Sequence, residues 1–255
     1  MKPLVPLTVM LLAATAPAAD RDGLRHIVQE ECLPHWNAQH DPAPCESIAQ
    51  DYAVLADRKG GAHFLLIATR TITGIEDPAV LNAATPNYFA AAWQARERLN
   101  AIVGHPLRRD AVGLAINSAI ARGQDQLHIH IECLQPHLYQ ALQAAAAIVG
   151  DHWTPLQIGE SPYRALRIRG QDLGAANPFQ LLANQIPEAR RAMAHYTMIV
   201  AGMRFKDGPG FIVLAGPTPT REALLGDTLS GTLGKGLVAP GETQLDSTCA
   251  VDSAP

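Results

Sequence analysis

Alternation of apolar and polar positions is sharpest between Arg122 and Cys133. The chain there reads Arg-Gly-Gln-Asp-Gln-Leu-His-Ile-His-Ile-Glu-Cys. Period two predicts a strand with unlike faces. Leu127, Ile129 and Ile131 share one face, and His128, His130 and Glu132 share the other. Apolar runs at 52–55 and 63–68, separated by Asp57-Arg58-Lys59-Gly60-Gly61, predict a hairpin. Val112, Leu114 and Ile116 predict a strand over 110–118 that ends at Asn117-Ser118.

Helical spacing is clearest over 88–103, where Phe89, Ala92, Trp93, Arg96, Leu99, Ile102 and Val103 recur every three or four residues. Residues 137–149, behind Pro136, predict a second helix. A helix over 21–31 and a Pro-rich loop over 34–44 are expected near the start, and a loop or short helix over 75–83. Further on, strands are expected at 153–158 and 163–169 and helices at 177–186 and 187–193. Residues 196–205 and 211–215 flank an Asp-Gly turn and predict a hairpin. Residues 216–255, small and polar, predict a tail that is surface-hugging or mobile apart from Cys249. No repeat is visible in the residues, but each half offers strands plus a helix, so a pseudo-duplicated αβ arrangement is one expectation.

Composition narrows the classes. With 255 residues, 47% hydrophobic and 17% charged, the chain suits one large or two small globular domains. A net charge of −4 argues against a general nucleic-acid footprint. Residues 1–19 read as a signal peptide or N-terminal anchor: Lys2, an apolar run from Leu4 to Ala16, then small residues up to Asp20. The run falls short of the ~20 residues of a spanning helix, which favours cleavage. Both readings place the rest of the chain outside the cytoplasm, in the periplasm or on the periplasmic face of the inner membrane. In an exported protein, the four cysteines predict disulfides. Three connectivities exist; Cys32–Cys45, around the Pro-rich loop, is the natural local pair, leaving Cys133–Cys249.

Two imidazoles and a carboxylate on one strand face support more than one chemistry. A neutral imidazole can attack phosphorus if an acceptor fixes its tautomer and donors meet the non-bridging oxygens. His130 would be that nucleophile, with Asn117, Gln124, His128 and the backbone near Gly123 as donors. The same spacing suits a metal, with Glu132 or His63 as third ligand. A structural histidine pair stands beside both readings. Spacing alone leaves the three open.

The residues carry a resemblance. Gly123-Gln124-Asp125-Gln126-Leu127-His128-Ile129-His130-Ile131-Glu132 resembles the histidine-triad motif, in which histidines alternate with apolar residues after a Gly-Gln loop. Ala62-His63-Phe64-Leu65-Leu66-Ile67 and Ile116-Asn117 resemble the family's upstream strands. Glu132 stands where the third histidine would be, Asp125 where Ser or Thr is common, and Ala68-Thr69-Arg70 replaces a Pro-Lys. These departures, the early Cys pair and the extra C-terminal region resemble one branch, the CDP-diacylglycerol pyrophosphatases.

The resemblance implies an α+β fold with an antiparallel sheet and packed helices, a core at about 50–135, a C-terminal extension at about 136–215 and a tail at 216–255. It also implies hydrolysis of CDP-diacylglycerol to CMP and phosphatidate at a membrane surface, with no cofactor and no nucleic-acid partner. His130 would be the nucleophile, His128 and Glu132 catalytic partners (Glu132 a base for water), and Asn117, Gln124, Gln126 and His63 the substrate- or phosphate-binding residues. Arg164, Arg167, Arg169 and Lys206 are candidates for steering the diphosphate or facing lipid headgroups.

Overall fold

In a computed structural model of the chain, the described residues are 20–218 and 238–252; the expected signal segment lies outside them. The apolar runs become strands β1 (Ser47–Ile48), β2 (Tyr52–Ala56), β3 (Phe64–Ala68), β4 (Val112–Ile116), β5 (His128–Leu134), β6 (Thr154–Ile158), β7 (Ser161–Arg169), β8 (Tyr196–Phe205), β9 (Gly208–Pro217) and β10 (Leu245–Asp246). They form one antiparallel sheet in the order β1-β2-β3-β5-β4-β8-β9-β7-β6, with β10 added to β5. The fold is α+β.

The sheet is built twice. In the first half a hairpin (β2–β3) is followed by helices α3 (Tyr88–Ala95) and α4 (Leu99–Val103), then by β4 and β5. In the second, the hairpin β6–β7 is followed by α6 (Pro178–Gln185) and α7 (Pro187–Arg191), then by β8 and β9. From each outer side the order repeats, 2-3-5-4 and 6-7-9-8, and the halves meet where β4 pairs β8. The duplication lies in topology and not in residues. Where β5 shows His128, His130 and Glu132, β9 shows Ile212 and Leu214 to the same side. That apolar face is covered by α5 (Pro136–Ala145) through Leu138, Leu142 and Ala145.

The other face of the sheet holds the largest core. Ile129, Ile131 and Leu114 pack under Phe89 and Trp93, and Phe89 meets Phe179 of α6 at 4.9 Å, joining the helix layers of the two halves.

Two expectations near the ends are corrected. The helix expected over 21–31 forms, but the loop expected over 34–44 does not begin at Pro34. Instead α1 (Gly23–His26) runs through a wide turn, Ile27–Cys32, into α2 (Leu33–Gln39). Pro34 is tolerated there because it lies in the first turn of α2. Val28 and Cys32 pack on Leu65 and Ile67, over part of the histidine face. The described part of the tail is also not surface-hugging. Residues 238–246 cross the histidine face as a strap, burying Val238, Gly241 and Leu245, and the chain then turns to bury Cys249 and Val251 in the core on the other face. The strap can lie so close because the sheet is shaved beneath it. A Cβ on Gly113 would sit 2.5 Å from Leu134 and 2.6 Å from Leu245, and one on Gly241 would sit 2.7 Å from the Thr197 hydroxyl. Both disulfides form, Cys32–Cys45 and Cys133–Cys249; the second ties the strap to β5.

Candidate active site

Register brings four polar side chains into a row across three strands. On β5, His130 lies opposite Leu65 of β3 and Ala115 of β4. The β3 register, extended one residue, sets His63 opposite Glu132. The β2 register, extended likewise, sets Asp57 opposite His63, and the Asp57 N–H donates to the His63 carbonyl at 3.0 Å.

The contacts define a direction for protons. His63 Nε2 is 3.0 Å from His130 Nδ1. The Asp57 carboxylate lies 3.8 Å from His63 Nδ1, which favours a proton on that nitrogen. His63 Nε2 then carries a lone pair, His130 Nδ1–H donates to it, and His130 Nε2 is left with a free lone pair. That atom is buried and has no hydrogen bond. The Glu242 carboxylate is 3.2 Å from it but out of line for one. A buried imidazole nitrogen without a partner costs stability. Burial, with repulsion from His128 and His63, holds His130 well below the usual histidine range, so it is neutral at pH 7. Burial likewise lowers His63 and His128. His128 Nδ1–H donates to the Gln126 carbonyl at 2.7 Å, which sets its ring beside His130, 5.1 Å between centroids.

Glu132 is the unusual member. Its Oε1 lies 3.3 Å from His63 Nε2. Burial pushes its carboxyl up to about 8, with Asp57 and Glu242 adding to the rise. At neutral pH it is therefore protonated and puts no negative charge beside the nucleophile, and the repulsion expected from a carboxylate in the third-histidine position is removed. The sign of the linkage follows: between the ordinary 4.5 and about 8 the native state holds a proton the unfolded chain has lost, so stability falls as pH rises through that window. The three lowered histidines push stability up as pH rises towards 6.5, so the sign is read from a difference: from pH 4.5 to 8 the urea midpoint of the wild type is expected to fall relative to that of Glu132→Gln. Equal slopes in the two proteins would contradict the protonated acid.

The other expected site residues are placed as follows. Asn117 follows β4, and its Oδ1 accepts from the Glu242 N–H at 3.3 Å, so it holds the strap. Gln126 donates to the carbonyls of Ala68 and Arg70, at 2.6 and 2.8 Å, and acts on His128 through its backbone. His63 orients His130. Gln124 is a correction: its Oε1 accepts from the Leu24 N–H and its Nε2 donates to the Asp20 carbonyl, so its amide docks α1 and is not free for phosphate. Asp125 is held by Arg21 and Arg122. Arg167 and Arg169 pair with Asp207 on the second half, so their charge is met there and not at the histidines.

Three residues escaped the sequence reading: Asp57, Lys59 and Glu242. The first two sit on the turn before His63, where the hairpin register could have found them. Glu242 carries no local signal. A cavity of ≈ 200 Å³ above the row is lined by Lys59, His63, Glu132, Glu242, Thr243 and Ser247. A larger one, ≈ 480 Å³, lies by Arg96, Arg109 and Arg204, beside the helix-covered core. Arg109 there spends its donors on the carbonyls of Gly170, Gln171 and Gly210 and stacks on Trp93 and Phe211, so it ties the halves together. The smaller cavity, lined by His63 and Glu132 and by Glu242, which stands 3.2 Å from His130 Nε2, is the one equipped for chemistry.

Comparison with known proteins places the chain in a family. The family described as CDP-diacylglycerol pyrophosphatase matches residues 19–251. The chain belongs to that family. A Yersinia pestis protein named CDP-diacylglycerol pyrophosphatase is 41% identical over 201 residues, 77% of this chain and 77% of that one. Among solved structures, a HIT family hydrolase from Clostridium thermocellum covers 40% of this chain and 89% of its own, at 19% identity and a TM-score of 0.29. Hnt3 in complex with DNA and guanosine covers 47% and 68%, at 13% identity and a TM-score of 0.25. Membership of the CDP-diacylglycerol pyrophosphatase family rests on the sequence match, which runs through the histidine row, both disulfides and the strap.

Proposed function

We propose that the chain hydrolyses the diphosphate of CDP-diacylglycerol to CMP and phosphatidate, with His130 as nucleophile. The observation that carries this reading is the buried, unbonded Nε2 of His130, backed from Nδ1 by His63. Nε2 attacks the phosphorus on the cytidine side, phosphatidate leaves, and water releases CMP from the His130 adduct. Lys59, on the rim of the cavity, is placed to meet the charge that spreads over the phosphoryl oxygens. The substrate carries two acyl chains, so the enzyme works at a bilayer surface, and the expected signal segment puts that surface outside the cytoplasm.

A second reading rests on a specific cluster. One atom each of His63, His130 and Glu132 lies within 4.8 Å of the others, a set that suits a divalent ion. His63, His130 and Glu132 would hold such an ion, which would supply Lewis-acid polarisation of the diphosphate.

A hydrolysis assay of the purified protein separates these readings. CDP-diacylglycerol in mixed micelles is expected to be turned over, equally well after exhaustive chelation, and faster than water-soluble nucleotide diphosphates. Loss of turnover on chelation, restored by zinc, would replace the first reading by the second. Absence of turnover on any nucleotide diphosphate would sink both.

A further inference from the structure

The strap puts a carboxylate on the reacting atom. Glu242 Oε2 is 3.2 Å from His130 Nε2, while the side chain remains about one-third exposed to solvent. The placement is heavily fixed. The Gly241 N–H donates to the Thr197 hydroxyl at 2.9 Å, the Glu242 N–H to Asn117 Oδ1, and the Gln135 N–H to the Gln244 carbonyl at 3.0 Å. β10 and the Cys133–Cys249 bond hold the downstream side to β5. Five attachments, drawn from β5, β8, the residue after β4 and the start of α5, therefore hold the backbone that carries Glu242 above His130 and leave its side chain free to turn.

We propose that Glu242 is the general base that hydrolyses the His130–CMP adduct, an inference that rests on His130 being the nucleophile. The carboxylate turns aside as phosphorus bonds to Nε2 and then flanks the adduct, on the side open to water. A water molecule gives a proton to Glu242 as its oxygen bonds to phosphorus. The P–N bond breaks, its electron pair returns to His130 Nε2, and CMP leaves; Glu242 then loses the proton to solvent. Glu132 is not equipped for this step, because it faces His63 Nε2 and not the reacting nitrogen. The strap thus supplies, from far along the chain, an acid–base group that the histidine strand itself lacks.

The test separates the two half-reactions. Phosphatidate release reports attack by His130, and CMP release reports resolution of the adduct. In Glu242→Gln, which keeps the backbone bond to Asn117, phosphatidate is expected to appear in a burst close to one per enzyme. Steady-state CMP release is expected to fall by about 100-fold or more, the range of a lost general base, and CMP is expected to remain on His130. A merely structural role for Glu242 would slow both releases together and leave no adduct. That result, or wild-type release of both products, overturns the proposal. Failure of the nucleophile reading looks different, since it would appear as turnover by His130→Ala.

Discussion

His130→Ala is expected to lower CMP release from CDP-diacylglycerol by about 10⁴-fold or more, the scale on which removing a nucleophile collapses a catalytic unit. The fold is expected to survive. The imidazole removed is poorly satisfied, since Nε2 has no hydrogen bond, and its neighbours Leu65 and Ala115 are small or apolar and belong to strands held by their own ladders. Steady-state turnover and a urea midpoint for the same preparation check both halves of the statement. A folded variant that still turns over within tenfold of wild type would remove His130 from the nucleophile's place.

Breaking the strap's covalent tie is expected to have the largest effect on stability. Cys133 and Cys249 are 116 residues apart in sequence, against 13 for Cys32 and Cys45. Loop-closure entropy grows with the logarithm of that separation, so the long bond contributes about 4–5 kcal/mol and the short one about 3. The long bond also keeps Leu245 on the sheet and Glu242 over His130. The double variant Cys133→Ala/Cys249→Ala is therefore expected to lose more in urea unfolding than Cys32→Ala/Cys45→Ala, and to lose CMP release at temperatures where it is still folded. A smaller loss in the Cys133/Cys249 variant than in the Cys32/Cys45 variant would contradict this account of the strap.

Much of the site was legible because it is local. The alternation from Leu127 to Glu132 places three polar groups on one face whatever surrounds them, and the turn at 57–61 sets His63 beside that face. What was not legible depends on distance. Gln124 reads as a phosphate contact from its motif position, yet the N-terminal helix claims its amide, a contact spanning 100 residues that leaves no pattern in either segment. Glu242 stands in a stretch of small and polar residues with no period, and reaches His130 only because β10, Asn117 and a disulfide bring it there. The duplication of the sheet was equally faint in residues. The second half kept the strand order but replaced the polar row with Ile212 and Leu214, so topology persisted while chemistry did not.

The central claim, a covalent His130–CMP intermediate, is open to direct measurement. Phosphoramidates survive alkali, so enzyme mixed with CDP-diacylglycerol and quenched at high pH within one turnover can be digested and mass-mapped. The account predicts a CMP-sized mass increase on the peptide carrying His130, absent in His130→Ala and accumulating in Glu242→Gln. Complete turnover with no adduct on that peptide at any time, in the wild type and in Glu242→Gln alike, would contradict it.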